Sequence, residues 1–428
     1  MLFSNISILD ENLEFQKNMY VATDGERIKY IGSERPQETF GREYDGTGKL
    51  LMSGFYNAHT HSPMTLLRGY GENMQLQDWL EKRIFPFEAK LTAQAVYSAT
   101  MLAMAESFRF GIVSSTDMYY FCDEIAKAVE KTGAKMNIGR GITNFTDRGL
   151  YELESFKEAQ HLVKTLHNTQ NGRIKIDLSL HAEYTTNEKT VREMGEYVKT
   201  TGLNMHVHVS ETKKEHEECL ARRGKTPVAY LADLGVLDTH TTAAHCVFVT
   251  EEDREILRDK HASVACNPVS NLKLASGVCN VPALLENGVN VAIGTDGVAS
   301  NNSLNFLEEV KFFALLSKEK FSNPTLITPK QALYAATRGG ALSQGRQDCG
   351  LIKEGYKADL IVIDTRHPNY HPVHDMITNI VYSASGSDID LTMVDGKVVY
   401  ENGNYKTLDI SKVIEDADRA TAEILREL

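Results

Sequence analysis

Eight short apolar runs alternate with helical stretches through most of this chain, and that alternation constrains its fold more than any other feature. Each run is short enough to be one buried strand, and strands separated by helices pair in parallel. Polar residues follow the runs, which favours an α/β fold with a closed (β/α)8 barrel over an open doubly wound sheet. No GxGxxG segment opens a helix after a strand, so a dinucleotide-binding fold has no support. The predicted strands contain NAHTH, GIVSSTD, KMNIGRGIT, IKIDLSL, LNMHVHVS, TTAAHC, ASVACNPV and VNVAIGTD.

The two ends of the chain have a different pattern, in which short strands are separated by tight turns. Asp24-Gly25 and Asp395-Gly396 each mark a hairpin between apolar segments. We therefore predict that residues 1–52 and 355–428 form one small accessory β-domain, which ends in a charged surface helix. Residues 53–354 are predicted to form the barrel.

Composition excludes several classes of protein. Hydrophobic residues make up 42% and charged residues 24% of the 428 positions, so the chain can bury a large core. The net charge of −12, with no basic run, argues against a nucleic-acid partner. No apolar segment is long enough for a membrane span, and the N-terminus has no basic leader before an apolar stretch. Six cysteines without a CxxC pair indicate reduced thiols, and we expect a cytoplasmic protein without a membrane partner.

Histidines and one aspartate recur at the ends of the predicted strands. A lone histidine at a strand end is usually structural, but repetition at matching positions favours a shared site. The carboxyl ends of barrel strands meet at one mouth, and imidazole with carboxylate suits a divalent metal. His59 and His61 lie on one face of their strand because they are two residues apart. The residues at the other strand ends are His181, His208, His245 and Asp296.

In order along the chain, NAHTH, HVSET, AAHC, NPVSNLKL and GTDGVASNNSLN resemble motifs of the metal-dependent amidohydrolase superfamily. Within it, the chain resembles the methylthioadenosine/S-adenosylhomocysteine deaminase group, from about residue 1 to 410. The resemblance implies a distorted (β/α)8 barrel of the TIM type that holds one metal, with a β-sandwich built from both chain ends. It also implies the site, with His59, His61 and His208 as imidazole ligands, Asp296 as the carboxylate ligand, and Glu211, His245 and His181 completing it.

These residue types support hydrolytic chemistry. Three imidazoles and one carboxylate leave a coordination position for water on Zn²⁺, which lowers the pKa of that water from about 15.7 towards about 7. Asp296 can accept the water proton, while Glu211 can pass a proton to a substrate ring nitrogen and later to the leaving amine. His245 can hydrogen-bond the attacking oxygen, and His181 can donate to a ring nitrogen of the substrate.

We predict one divalent metal per subunit. A binuclear site would need a carboxylated lysine at the carboxyl end of a middle strand, but Lys175 lies at the start of its run. Zinc is the expected ion, with Fe²⁺ and Mn²⁺ as alternatives, because histidine and carboxylate ligands accept all three.

Other residues near the predicted site resemble ligands. His206 shares a strand face with His208, but the spacing to Glu211 and the family pattern select His208, and we expect His206 to lie deeper in the barrel. Cys246 follows His245 on the strand, should point to the opposite face and is expected to pack. Prolines interrupt a third group, which is expected to form a surface turn and consists of His367, His371 and His374.

The resemblance also implies substrate contacts. Glu88 matches a position that accepts hydrogen bonds from ribose hydroxyls, although a charge at a helix N-terminus is the alternative. Trp79, in the same segment, could stack on a ligand or pack beneath the loop. Arg140 and Arg148 match arginines near the 5′ substituent, where a guanidinium would hold a homocysteine carboxylate. Arg148 could instead be a solvated charge. Glu183 replaces a common proline and is expected to add charge near the pocket mouth.

The sequence therefore predicts hydrolytic deamination at C6 of a 5′-substituted adenosine: methylthioadenosine, S-adenosylhomocysteine, adenosine or 5′-deoxyadenosine. A deaminase or chlorohydrolase of another aminoheterocycle, such as guanine, a pterin or a triazine, is the first alternative. A non-enzymatic assembly protein that has kept the barrel is the second. Glu211 favours an amine leaving group, and the full ligand set disfavours the assembly protein. By resemblance we expect a homo-oligomer, either a dimer or a tetramer.

Overall fold

The computed structural model describes residues 1–428 and contains two β-sheets. The eight strands predicted between the chain ends are confirmed, and so are both hairpins. The strands in chain order are β1 (Leu2–Leu9), β2 (Phe15–Asp24), β3 (Arg27–Gly32), β4 (Glu43–Asp45), β5 (Lys49–Ser53), β6 (Phe55–Thr60), β7 (Ile112–Tyr119), β8 (Lys135–Arg140), β9 (Ile174–Ala182), β10 (Met205–Val209), β11 (Thr241–His245), β12 (Ser263–Cys266), β13 (Asn290–Ile293), β14 (Leu360–Asp364), β15 (Ile389–Val394), β16 (Lys397–Glu401) and β17 (Asn404–Tyr405).

Helices fill the intervals between the strands, and many begin after a Thr, Asn or Asp whose side chain accepts a backbone N–H of the first turn. They are α1 (Leu76–Trp79), α2 (Phe85–Glu88), α3 (Ala93–Arg109), α4 (Cys122–Thr132), α5 (Glu154–Leu166), α6 (Thr169–Gly172), α7 (Glu188–Thr201), α8 (Lys213–Arg223), α9 (Pro227–Asp233), α10 (Glu251–Asp259), α11 (Pro268–Lys273), α12 (Val281–Glu286), α13 (Val298–Asn301), α14 (Phe306–Lys320), α15 (Pro329–Tyr334), α16 (Gly340–Ser343), α17 (Met376–Tyr382) and α18 (Ile410–Arg426). None of them is both long enough and apolar enough to cross a membrane.

Strands β6 to β13 form a parallel sheet in which each strand pairs with its neighbour in the chain. The first and last strands meet where the Asp296 amide donates to the His59 carbonyl at 3.0 Å. Gly294 permits this approach, since a Cβ there would lie 2.3 Å from Asn267 Oδ1 and 2.9 Å from the His59 Cβ. The sheet is thus a nearly closed barrel, as the sequence predicts, with its carboxyl strand ends at one mouth.

The other strands form a separate sheet from both ends of the chain, in the order β17-β16-β15-β14-β5-β1-β2-β3, with β4 beside β1. Its own apolar cluster includes Phe3, Ile6, Val362 and Leu391. The hairpin tips meet, because a Cβ on Gly396 would lie 1.9 Å from the Gly25 carbonyl oxygen. One hydrophobic core is therefore formed by residues of this sheet, and a larger one packs around the barrel strands.

A buried ionic cluster lies at the amino ends of the barrel strands, between the barrel and the second sheet. We call Tyr56, Lys135, Asp359 and Asp395 the base cluster. The Lys135 ammonium pairs with the Asp359 carboxylate and, at 2.6 Å, with Asp395 Oδ1. The Tyr56 hydroxyl donates to Asp359 Oδ2 at 2.5 Å. Each of these groups meets an opposite charge or a hydrogen-bond partner inside the cluster, so the cluster ties the two sheets together.

The last helix, α18, packs on barrel helix α3 rather than on the second sheet. Its apolar side buries Val413, Ala417, Ala420 and Ile424. The sequence predicts a charged surface helix here, and the opposite side of α18 is indeed exposed. The amphipathic pattern has a physical reason, since one face covers the barrel while the other meets water.

Candidate functional site

Five polar side chains from four barrel strands meet at the carboxyl mouth of the barrel. His59 lies near the carboxyl end of β6, and His61 follows that strand. His208 lies on β10, His245 lies on β11, and Asp296 follows β13. We call these five residues the strand-end cluster. The ring centroids of His59 and His61 are 4.8 Å apart, and those of His59 and His208 are 4.9 Å apart. The side chains that the sequence predicts to converge do converge, although they are separated by more than 200 residues in the chain.

Each imidazole of the strand-end cluster is fixed through the same nitrogen, Nδ1. For His61 and His208 the partner is a carbonyl oxygen, so the ring proton lies on Nδ1 and the lone pair on Nε2 is free. Such a contact sets both the tautomer and the direction of the ring. The contacts are His59 with His206 Nε2 at 2.8 Å, His61 with the Met118 oxygen at 2.6 Å, His208 with the His181 oxygen at 2.7 Å, and His245 with Asn271 Oδ1 at 2.8 Å.

Asp296 is held by three donors in an uncommon backbone conformation. Its Oδ1 accepts the Gly297 amide at 2.8 Å, and its Oδ2 accepts the hydroxyls of Ser270 at 2.5 Å and Ser300 at 3.1 Å. The φ angle of Asp296 is 59°, and that of His245 is 72°. Non-glycine residues in this left-handed region are strained, and strain of this kind concentrates at functional sites because neighbouring contacts impose it.

The strand-end cluster fits a divalent metal. Nε2 of His59 is buried and has no hydrogen-bond partner, which leaves a buried lone pair that a cation would satisfy. Asp296 Oδ1 lies 3.4 Å from His59 Nε2 and 3.3 Å from His61 Nε2. Two ligand atoms about 2.0–2.1 Å from a tetrahedral zinc ion would be about 3.3–3.4 Å apart. The candidate ligand groups are His59 with His61 and Asp296, and His59 with His208 and His245.

The electrostatics of the cluster also suit a cation. Burial lowers the pKa of His59 to about 3, which keeps that imidazole neutral and able to act as a ligand. Burial acts in the same direction on His61, but the Asp296 carboxylate beside it raises the pKa of His61 to about 9. Burial opposes ionisation of Asp296, yet the two histidines hold its pKa well below the usual range. A negative charge on Asp296 is therefore maintained beside the neutral ring of His59. Lys175 bonds to the Gly345 carbonyl and does not belong to this site.

Glu211 lies beside His245, which is a member of the strand-end cluster. His245 Nε2 lies 3.8 Å from Glu211 Oε2, and Ser276 Oγ donates to Glu211 Oε1 at 3.0 Å. Glu215 accepts the amides of Ser210 at 2.9 Å and Glu211 at 2.7 Å, so it shapes the turn that carries Glu211. Burial, followed by the nearby Glu211 charge, raises the pKa of Glu215 to about 7. The pair can exchange a proton with a ligand that lies above it.

An open cleft of about 810 Å³ extends from the strand-end cluster to solvent. Glu88 and Trp79 both line it, from the segment between β6 and α3. Trp79 is also buried in the core, so it packs beneath the segment and contributes a wall at the same time. Burial raises the pKa of Glu88 to about 6, with Tyr119 acting against this rise. The cleft thus contains the Glu88 carboxyl group as a hydrogen-bond acceptor, in addition to the polar groups of the strand-end cluster.

His181 lines the cleft, and its Nδ1 lies 3.1 Å from Thr185 Oγ1. The same hydroxyl oxygen accepts the Ala182 amide at 3.1 Å. Burial lowers the pKa of His181 to about 4, so the ring is neutral and only one of its nitrogens carries a proton. Nε2 makes no hydrogen bond within the protein and is available to a ligand.

The two arginines predicted near the substrate do not line the cleft. The Arg140 guanidinium pairs with Glu158, with 2.5 Å between Nε and Oε2, and donates to the Gly141 carbonyl at 2.6 Å. Arg148 is exposed, and only its backbone takes part in hydrogen bonds: its carbonyl accepts from Asn144 and Asn187, and its amide donates to Thr146 Oγ1 at 3.3 Å.

The other residues singled out from the sequence lie where it predicts, except for Glu183. His206 is fully buried below His59, which agrees with a deeper position in the barrel. Cys246 is buried in the core. Glu183 is buried and its Oε1 pairs with Arg222 at 2.5 Å, so its charge is compensated away from the cleft rather than added to the mouth. The surface turn contains exposed imidazoles at His367, His371 and His374.

Several supporting residues were missed by sequence reasoning. Ser270 and Asn271 lie within NPVSNLKL and Ser300 within GTDGVASNN, so the motifs contained a signal for them. Asp117 and Glu215 had no such signal. Asp117 accepts the Ser62 amide at 2.9 Å, and burial raises its pKa to about 6. Their roles depend on which backbone amides lie nearby, and a linear pattern does not contain that information.

Comparison with known proteins gives consistent matches. A model of the amidohydrolase family matches residues 50–399. The chain is 40% identical to a 5-methylthioadenosine/S-adenosylhomocysteine deaminase of Thermoanaerobacter pseudethanolicus, over 100% of this chain and 99% of the relative. It is 41% identical to a 5′-deoxyadenosine deaminase of Methanosarcina acetivorans, over 96% and 94% of the two chains. A zinc-bound adenosine deaminase from Xanthomonas campestris superposes with a TM-score of 0.94 at 29% identity, over 100% of this chain and 98% of that one.

Proposed function

The chain belongs to the amidohydrolase family, and we propose that it hydrolyses the 6-amino group of a 5′-substituted adenosine, releasing ammonia and the corresponding inosine. One observation carries this proposal: four of the five residues of the strand-end cluster, together with Glu211 and Glu88, line a single cleft. Relatives named as deaminases of methylthioadenosine, S-adenosylhomocysteine and 5′-deoxyadenosine support the same substrate class. The proposed partner is thus a small nucleoside.

The proposed metal ligands are His59, His61, His208 and Asp296, with zinc as the ion. A divalent ion held there would lower the pKa of a coordinated water towards about 7 and so supply a nucleophile at neutral pH. The protein's contribution is to hold the rings by their Nδ1 atoms, which leaves Nε2 of each ring for the ion. Metal analysis of the purified protein would distinguish zinc from Fe²⁺ and Mn²⁺.

Glu211, His245 and Asp296 are the proposed catalytic residues. Asp296 accepts the proton that the attacking water loses, and Ser270 and Ser300 hold its carboxylate in place. Glu211 delivers a proton to the ring nitrogen next to C6, which makes that carbon electrophilic. Glu211 then takes the hydroxyl proton from the tetrahedral C6 centre and passes it to the exocyclic nitrogen, so that the C–N bond breaks, ammonia leaves and C6 becomes a carbonyl carbon. The proton held by Asp296 returns to Glu211 and restores both groups. His245, fixed by Asn271, directs the attacking oxygen.

His181 and Glu88 are proposed to position the nucleoside. A donor role for His181 towards a purine nitrogen requires a proton on Nε2, with the Thr185 hydroxyl donating to Nδ1 at the observed 3.1 Å. Glu88 accepts hydrogen bonds from the ribose hydroxyls, and Trp79 supplies an apolar wall. Assembly into a homo-oligomer stays a prediction that sedimentation analysis can test.

The direct test is turnover of metal-loaded protein on four nucleosides and three other heterocycles, with ammonia release as the measurement. We expect methylthioadenosine, 5′-deoxyadenosine or adenosine to be deaminated faster than guanine, a pterin or a chlorotriazine. Glu88→Gln should lower kcat/KM on ribosides by about tenfold or more, but should change it much less on 2′,3′-dideoxyadenosine, because the lost contact needs the hydroxyls. Glu81→Gln, an exposed change in the same segment, is the control. Absence of turnover on every adenosine would refute the proposal.

A further inference from the structure

The cleft has no lysine or arginine side chain in its walls. Of its 21 lining residues none is lysine or arginine, and the ionisable carboxyl groups among them belong to Glu88, Glu211 and Asp296. A carboxylate brought into this cleft would lose water and meet groups of like charge, which is unfavourable without a paired cation.

The outer part of the cleft is apolar. One segment contributes four side chains to it, and aromatic rings from two other loops face the same space. The apolar segment presents Leu76, Leu80, Ile84 and Phe85, and the aromatic residues are Tyr120 and Tyr184. An uncharged, apolar substituent gains free energy when it leaves water for such a surface.

A cation lies directly behind one wall of the cleft. The Arg140 guanidinium is 5.0 Å from the ring centroid of Tyr120, and it donates to the carbonyl of Gly141. Both Tyr120 and Gly141 line the cleft, while Arg140 does not. The Arg140 guanidinium therefore contacts two residues of the cleft wall without lining the cleft itself.

Glu158 holds Arg140 in this withdrawn position. It lies on α5, outside the cleft, and its Oε2 is 2.5 Å from Arg140 Nε. The Arg140 side chain is 15% exposed and that of Glu158 is 56% exposed, so Arg140 is the more buried partner and Glu158 is open to solvent. Arg148 offers no substitute, since its side chain is exposed and lies outside the lining.

We propose that Glu158 makes this cleft selective for adenosines with an uncharged, apolar 5′ substituent, by keeping the Arg140 guanidinium out of the cleft. The proposal rests on the deaminase function proposed above and specifies its substrate class. 5′-Deoxyadenosine and methylthioadenosine are then preferred, whereas S-adenosylhomocysteine, with its amino-acid carboxylate, is disfavoured. Glu158 acts through Arg140 and is a positioning residue.

The test compares kcat and KM for methylthioadenosine, 5′-deoxyadenosine and S-adenosylhomocysteine. For the unmodified protein we expect kcat/KM on methylthioadenosine to exceed that on S-adenosylhomocysteine by at least about tenfold. Glu158→Gln should free the Arg140 guanidinium to pair with the carboxylate of S-adenosylhomocysteine. The ratio of kcat/KM on methylthioadenosine to that on S-adenosylhomocysteine should then fall by about threefold or more, mainly through a lower KM for S-adenosylhomocysteine.

Two further variants separate this effect from a general change of charge. Glu154→Gln lies on the same helix, removes the same charge and breaks an exposed pair with Lys157, so it should leave the ratio unchanged. Combining Glu158→Gln with Arg140→Met should abolish the narrowing, because the proposed cation is then absent.

Equal turnover of methylthioadenosine and S-adenosylhomocysteine by the unmodified protein would overturn the inference and leave the deaminase function standing. So would the same narrowing in Glu154→Gln, or narrowing that persists in the double variant. If no adenosine is deaminated at all, the function itself fails, and this outcome is distinct from a loss of selectivity.

Discussion

The two ends of the barrel both bury charged and polar groups, but they do so in opposite ways. In the base cluster, the Lys135 ammonium lies between the carboxylates of Asp359 and Asp395. In the strand-end cluster, Nε2 of His59 has no partner and Asp296 carries strained backbone geometry. The base cluster has a lysine between its carboxylates, with Lys357 as a second cation 3.6 Å from Asp395 Oδ1, while no lysine or arginine pairs with the strand-end cluster. A buried ligand nitrogen without a partner is a candidate for function, whereas a cation between buried carboxylates compensates charge within the fold.

The pKa values of two buried carboxyl groups, Asp359 at the base and Glu309 near the mouth, differ in direction. Burial opposes ionisation of Asp359, but the Lys135 charge keeps its pKa below the usual value. Glu309 lies on the mouth side, where it accepts the Val269 amide at 3.2 Å and the Asn301 amide nitrogen at 2.5 Å. No cation pairs with Glu309, and burial raises its pKa to about 8. These two carboxyl groups therefore differ because a cation lies beside Asp359 and none lies beside Glu309.

The largest expected effect is on activity at the mouth. His208→Asn should remove a proposed ligand, reduce bound metal and lower deamination by about a thousandfold or more, while the chain still folds. Metal content, ammonia release and circular dichroism measure the three quantities. His240→Asn is the control, since His240 bonds to the Ser343 carbonyl at the other end of the barrel and should keep both metal and activity. Full metal content in His208→Asn would contradict the proposed ligand set.

The second-largest expected effect is on the free energy of unfolding, from a substitution in the base cluster. Lys135→Met leaves two buried carboxylates without their cation and should lower the free energy of unfolding by about 3–5 kcal/mol. Chemical denaturation measures this value. Lys127→Met, which breaks an exposed pair with Glu124, should cost less than about 1 kcal/mol. Adding Asp359→Asn to Lys135→Met should recover part of the loss. If Lys135→Met and Lys127→Met were equally stable, the base cluster would not hold the sheets together.

The smallest effect is on the pH dependence of stability. The pKa of Glu309 is about 8 in the folded protein and near 4.5 when unfolded, so the folded state binds the extra proton between these values. Stability from this group is complete below about pH 4.5, falls as the pH rises and reaches its lowest level above about pH 8.

Glu309→Gln cannot ionise and should lack this fall, so that its unfolding free energy relative to the unmodified protein rises by about 2 kcal/mol from pH 6 to pH 8. Denaturation at several pH values measures the difference, and Glu308→Gln, an exposed neighbour, is the control. Parallel pH profiles for the unmodified protein and Glu309→Gln would contradict the protonated state of Glu309.

The sequence was sufficient for the architecture because its signals are local and repeated. Eight apolar runs separated by helices leave few arrangements other than a barrel, and the Asp24-Gly25 and Asp395-Gly396 turns mark hairpins. Convergence of the histidines also followed, because carboxyl ends of barrel strands must meet at one mouth. The destination of α18 did not follow, since an amphipathic pattern identifies a buried face but not the surface that covers it.

Predictions at the site were correct where the backbone fixes the direction of a side chain, and incomplete where it does not. The histidines on strands had little choice of direction, because alternate residues of a strand face opposite sides. Arg140, at the end of β8, has a long flexible side chain, and its position depends on Glu158 from a helix later in the chain. The charge expected from Glu183 was likewise compensated by Arg222, 39 residues away.

The sequence by itself determined the barrel, the second sheet and the set of strand-end residues, because strand periodicity and parallel pairing act over short distances and repeat along the chain. Only the tertiary structure decided which partner each imidazole meets, which carboxyl groups find a cation and which arginine is kept from the cleft. Those outcomes depend on contacts between residues far apart in sequence, where a shift of a few ångströms changes a paired charge into an unpaired one.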